Sequence, residues 1–153
     1  MIATTHLAVG ATTGLWCGRL VGRLVGFESE LLQIAAALVV GTVSHIVLDA
    51  IPHNDAIYAT SRKPAILAIE LAIIFSVIFW VASFRNLNFL IIFSGMVGAA
   101  WLDCFRDSMP YGNVFFGPVV EFFHRFHSQA KPGPIPSLSI QILIAIVALS
   151  FLF

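Results

Sequence analysis

Apolar residues run almost unbroken through five stretches, at residues 3–25, 31–51, 65–84, 89–105 and 138–153, with short polar breaks between them. Each approaches the roughly 20 residues that a helix needs to cross the hydrocarbon of a bilayer. Backbone groups in lipid must pair within their own segment, so each stretch is expected to be helical. The first is the weakest, because Arg19 and Arg23 interrupt its far end. Long basic side chains at such a position reach back to the interface. The pattern therefore predicts an all-α, polytopic membrane protein, a single domain of about five transmembrane helices. A further segment over 113–128 mixes Phe115, Phe116, Phe122, Phe123 and Phe126 with Glu121, His124, Arg125 and His127. It reads as an interfacial amphipathic helix in the loop between the fourth and fifth spans. Pro132, Gly133, Pro134 and Pro136 are expected to stiffen the return into the last helix. The N-terminus has no basic flank of the kind that opens a signal peptide, and it is expected to be retained.

Composition agrees with the pattern. The 153 residues are 59% hydrophobic and only 10% charged, against about 25% charged in soluble domains. So small a globule could not cover that much apolar surface in water. Eight basic residues balance eight acidic ones, which removes the basic surface that nucleic-acid binding needs. Cys17 and Cys104 fall in apolar runs and read as packed thiols, not a disulfide. Gly10, Gly14, Gly18, Gly22 and Gly26 recur every four residues, a stripe that lets a neighbouring backbone approach closely. Gly95, Gly98 and Ala99 offer the facing surface. Five spans place Arg62, Lys63, Arg106, Arg125 and Lys131 on one side and Arg19, Arg23 and Arg85 on the other. That bias makes the first side cytoplasmic.

Titratable groups inside a membrane are costly, and their first reading is functional. His6 opens the first span. His45, Asp49 and His53 lie toward the end of the second, four residues apart and hence on one slowly drifting helix face. Glu70 falls in the second turn of the third span, Asp103 and Asp107 end the fourth, and His124 and His127 sit in the loop that follows. All of these converge on the same membrane side. Imidazole and carboxylate donors on adjacent helices form a ligand set for zinc, manganese or iron. The readings that need no metal are a helix-packing His45, a polar turn at His53 and Asp55, a salt-bridged end at Asp103 with Arg106 and Asp107, headgroup-facing His124 and His127, and a Glu70 paired with Arg62 or hydrogen-bonded to a neighbouring helix.

The arrangement resembles the bacterial membrane-bound metal-dependent hydrolases, a family that includes the SOS-regulated inner-membrane hydrolases. The residues that carry the likeness are Thr5-His6 followed by Gly10, and the run from Ser44-His45 through Asp49 to Pro52-His53. Trp101-Leu102-Asp103 and His124-Arg125-Phe126-His127-Ser128 complete it. The chain departs from that family's Pro-Asp-x-Asp-His order, and its second loop histidine comes two residues sooner. The resemblance implies hydrolysis and a bacterial inner-membrane location.

The residues then suggest one or two divalent transition-metal ions, zinc foremost, held by His6, His45, Asp49, His53, Asp103, Asp107, His124 and His127. Glu70 and Asp103 are the candidate catalytic groups, with Glu70 as general base. There is no Gly-x-Ser-x-Gly elbow to support a serine hydrolase. A site at headgroup depth points to a lipid ester or phosphoester, with membrane lipid as both environment and substrate. The alternatives are a metal or proton transporter built from the same residues and a structural protein with a polar cap. A haem protein is least favoured, since His45 alone lies well inside a span.

Overall fold

The computed structural model describes residues 3–25, 30–53, 63–108, 117–118, 121–122, 125 and 133–153. Among them it is all-α, with five helices and no strand. They are α1 (Ala3–Val25), α2 (Glu30–Asp49), α3 (Lys63–Phe84), α4 (Phe89–Ser108) and α5 (Pro134–Ser150). The interfacial segment expected at 113–128 lies almost wholly outside the described residues. Glu30–Asp49 and Pro64–Phe84 are long and apolar enough to cross a membrane, while the apolar parts of α4 and α5, Phe89–Cys104 and Ile135–Ser150, are shorter.

Two helix boundaries differ from the sequence pattern for identifiable reasons. The second helix was expected to reach residue 51 but ends at Asp49. Pro52 disfavours helical backbone at the residue before it, so the last turn closes early. The fifth was expected from 138 but begins at Pro134, with Gly133 at its N-cap and proline at its opening positions. Proline has no N–H to leave unpaired there and its φ already suits a helix. Residues that read as a stiff loop are therefore the first turn.

Helix α1 runs through the middle of the bundle and touches α2, α3, α4 and α5. Its direction relative to each follows from paired contacts. His6 near its start meets Asp49 at the end of α2, so α1 and α2 are antiparallel. Asn88, just before α4, donates to Glu30 at the start of α2, and Ala99 of α4 meets His45 of α2, so those two are parallel. Thr5 and Thr12 donate to the Gln141 and Ala148 carbonyls of α5, and Trp80 of α3 meets Phe153 just beyond α5. Thus α1, α3 and α5 share one direction and α2 and α4 the other.

Small residues make the close contacts. A Cβ on Gly10 would lie 2.5 Å from the Gly95 carbonyl oxygen, and one on Gly14 would lie 2.7 Å from the Gly95 Cα. Gly41 of α2 and Gly95 are likewise in backbone contact. The expected pairing of the α1 glycines with Gly95 and Ala99 is present at Gly10 and Gly14. Gly98 faces Leu38 and Thr42 of α2 instead. Large apolar side chains point outward, among them Trp16, Leu31, Val39, Ile73, Phe79 and Leu143. Threonine, serine, histidine, aspartate and glutamine are buried within. The two cysteines form no disulfide; Cys17 is partly buried, and Cys104 is exposed, not packed.

Candidate metal centre

The antiparallel register of α1 against α2 and α4 brings His6, His45, Asp49 and Asp103 together. His6 is in the first turns of α1, His45 and Asp49 in the last turns of α2, and Asp103 in the last turns of α4. The His6 and His45 rings lie 4.3 Å apart between centroids. Asp49 reaches both histidines with different oxygens. Its Oδ1 is 3.3 Å from His6 Nε2, and its Oδ2 is 3.4 Å from His45 Nε2. Asp103 Oδ1 approaches His45 Nε2 at 3.9 Å from the opposite helix. His6, His45 and Asp49 are buried, whereas the Asp103 side chain is 39% exposed. Asp103 therefore forms the open edge of the cluster.

The hydrogen bonding of His45 sets its electronic character. Nδ1 lies 2.7 Å from the Ala99 carbonyl oxygen. A carbonyl can only accept, so Nδ1 carries the proton and donates it. In the neutral ring Nε2 is then a bare lone pair directed toward two carboxylates. Electron-rich groups that converge in this way need a positive partner among them, a donated proton or a metal ion. The contacts to Asp49 are not aligned as hydrogen bonds: His45 Nε2 and both nitrogens of His6 are buried without a hydrogen-bond partner. Buried imidazoles in that state are costly unless something satisfies them.

A metal ion fits this donor set. Donors about 2.05 Å from a tetrahedral ion stand roughly 3.3 Å from one another. The contacts from Asp49 to the two histidines have that spacing, one through each oxygen, and the Asp103 contact to His45 is longer at 3.9 Å. Metal-bound histidines also typically donate their second N–H to a carbonyl or carboxylate, which fixes ring and tautomer, as His45 does to Ala99. His6, His45 and Asp103 each offer one donor atom, all within 4.8 Å of one another. These three residues could hold a metal ion.

The other candidates fall elsewhere. His53 does not continue the His45–Asp49 stripe, because α2 has already ended. Its ring is buried in the turn beyond the helix, with Nδ1 2.7 Å from the Ile51 carbonyl oxygen. Glu70 is directed to the start of α1, where Oε2 accepts from the Thr4 backbone N–H and hydroxyl, each at 3.4 Å. Asp107 lies in the last turn of α4, but its side chain, like Asp55, His124 and His127, lies outside the described residues.

Three buried polar groups were not singled out in the sequence. The Ala99 carbonyl carries no side-chain signal. Gln141 and Ser137 are both buried, and Gln141 Nε2 donates to Ser137 Oγ at 2.8 Å. Their i,i+4 spacing in an otherwise apolar helix was the available clue. No protein-family model, curated protein or solved structure matches this chain.

Proposed function

We propose that the chain is a membrane-embedded, metal-dependent hydrolase that acts on a lipid ester or phosphoester. In this reading the five helices cross a bacterial inner membrane in alternating directions, and the metal centre faces the cytoplasm. The alternation of helix direction, the outward-facing large apolar residues and the collection of polar groups at one end of the bundle support it. The observation that carries it is the convergence of His45 Nε2, its tautomer fixed by Ala99, on Asp49 and Asp103 beside the unsatisfied His6.

His6, His45 and Asp103 would hold the ion, with Asp49 joining through either oxygen; zinc suits the nitrogen and oxygen donors, as do manganese and iron. A divalent ion there would supply an activated water and polarise the scissile bond. The chain's own groups do the rest. Ala99 holds the His45 ring, and Asp49 keeps both imidazoles in register. Asp103, at the open edge, would hold the ion on the side that water and substrate can reach. In this reading the cluster, about one turn inside the helix ends, lies near the interface and within reach of lipid headgroups. The transporter reading is disfavoured by the bundle interior, where the backbones of α1, α2 and α4 touch at Gly10, Gly41 and Gly95.

Detergent-purified protein should release product from lipid esters or phosphoesters in mixed micelles. Chelation should abolish this, and zinc or manganese should restore it. His45→Ala should lower the rate at least about a hundredfold, since it removes the ion's anchor. Metal-loaded protein without activity on any lipid ester or phosphoester would overturn the assignment.

A further inference from the structure

We propose that Glu70 is a positioning residue for the metal centre, anchoring the first turn of α1 so that His6 reaches Asp49 and His45. The inference rests on the metal reading above and adds to it how the site is assembled.

Thr4, Thr5 and His6 are consecutive, and consecutive helical residues point about 100° apart. Each therefore faces a different neighbour. Thr4 gives its backbone N–H and hydroxyl to Glu70 of α3. Thr5 gives its hydroxyl to the Gln141 carbonyl of α5 at 3.1 Å. His6 meets Asp49 of α2. The single turn that presents His6 is thus tied to three helices at once, and its rotation about the α1 axis is fixed.

The chemistry explains why an acid stands at position 70. The first N–H groups of a helix have no partner within it, and that end carries partial positive charge. The first turn of α1 has no acidic residue of its own. Glu70 supplies the carboxylate from α3, between Ile69 and Leu71 in a helix that is otherwise almost wholly apolar. A carboxylate there is expensive unless it meets such a partner. Glu70 is not one of the residues whose donor atoms converge with His6 and His45, so it acts on the centre through α1.

The test compares Glu70→Ala, Glu70→Gln and Asn88→Ala in full-length protein. Asn88→Ala removes another polar contact between helices, the 2.9 Å bond to Glu30 at the opposite end of the bundle. In metal-free protein, amide exchange over residues 4–10 should rise severalfold in Glu70→Ala and not in Asn88→Ala. Cobalt(II) affinity should fall at least about tenfold in Glu70→Ala, with an altered visible spectrum, as for loss of other outer supports of a metal ligand. Glu70→Gln keeps an acceptor oxygen and should recover most of both. Should Glu70→Ala fail to fold, Thr4→Val, which deletes one of the two donors, should show the same changes at smaller size. Wild-type exchange and cobalt binding in Glu70→Ala would overturn the proposal. Unchanged exchange with cobalt binding lost in both Glu70 variants would also overturn it, since the carboxylate would then be a ligand itself. Wild-type protein that takes up no cobalt would refute the metal reading, and the exchange comparison would still decide the role of Glu70.

Discussion

At the scale of single residues, Asp49 is the pivot, because its two oxygens lie 3.3 Å from His6 and 3.4 Å from His45. Replacing it with alanine leaves the His6 and His45 rings 4.3 Å apart without their nearer carboxylate. Metal affinity of Asp49→Ala should fall by at least about a hundredfold, since the ion loses an anionic donor and the brace between its histidines. Titration with zinc against a competing chelator measures this, and unchanged affinity would remove Asp49 from the centre. Asp103→Asn is different, because this side chain is at the open edge and can be replaced without burying an orphan. It should retain folding, while metal affinity and hydrolysis both fall, since Asp103 is one of the three residues that would hold the ion. His45 and Asp49 were legible as a pair, because i,i+4 spacing on one helix is a local property. Their meeting with His6 and Asp103 depended on helix directions, which the alternation of five successive helices supplies. The Ala99 carbonyl was not legible, since every residue has one and only packing selects which is used.

At the scale of elements, the glycine stripe on α1 shows how far a four-residue repeat can be trusted. A helix advances about 100° per residue, so each step of four drifts by about 40°. Gly10 and Gly14 accordingly face Gly95 of α4, whereas Gly18 meets Ile91 and Gln33, and Gly22 meets Gln33 of α2. The stripe follows the seam from one neighbour to the next. A side chain on Gly95 would run into the Gly10 carbonyl and the Gly14 backbone, neither of which can yield cheaply. Gly95→Val should therefore cost about 2 kcal/mol or more of bundle stability. It should also weaken metal binding, because it separates α1 from α4 one turn below His6. Thermal unfolding in micelles would measure the first effect; stability equal to wild type would contradict the packing described here. The early end of α2 and the early start of α5 belong to the same scale. Proline decides both, once by stopping a helix and once by opening one.

At the scale of the whole molecule, α1, α3 and α5 oppose α2 and α4, and polar groups gather where α1 begins. If the bundle spans the membrane as proposed, residues at that end share one side. In a Cys17→Ser, Cys104→Ser background, single cysteines at Ala3 and Ile135 should label from the cytoplasm, and those at Arg23 and Arg85 from the opposite side. Labelling of positions 3 and 135 from opposite sides would break the alternation. The central claim is that buried histidines on two helices hold a metal ion. Its most direct measurement is the metal content of detergent-purified protein after exposure to zinc, manganese or iron and removal of the excess. Wild type should retain about one or two ions per chain, and the His45→Ala, Asp49→Ala double variant should retain almost none. Wild type that retains no ion, or a double variant that keeps a full complement, would contradict the account.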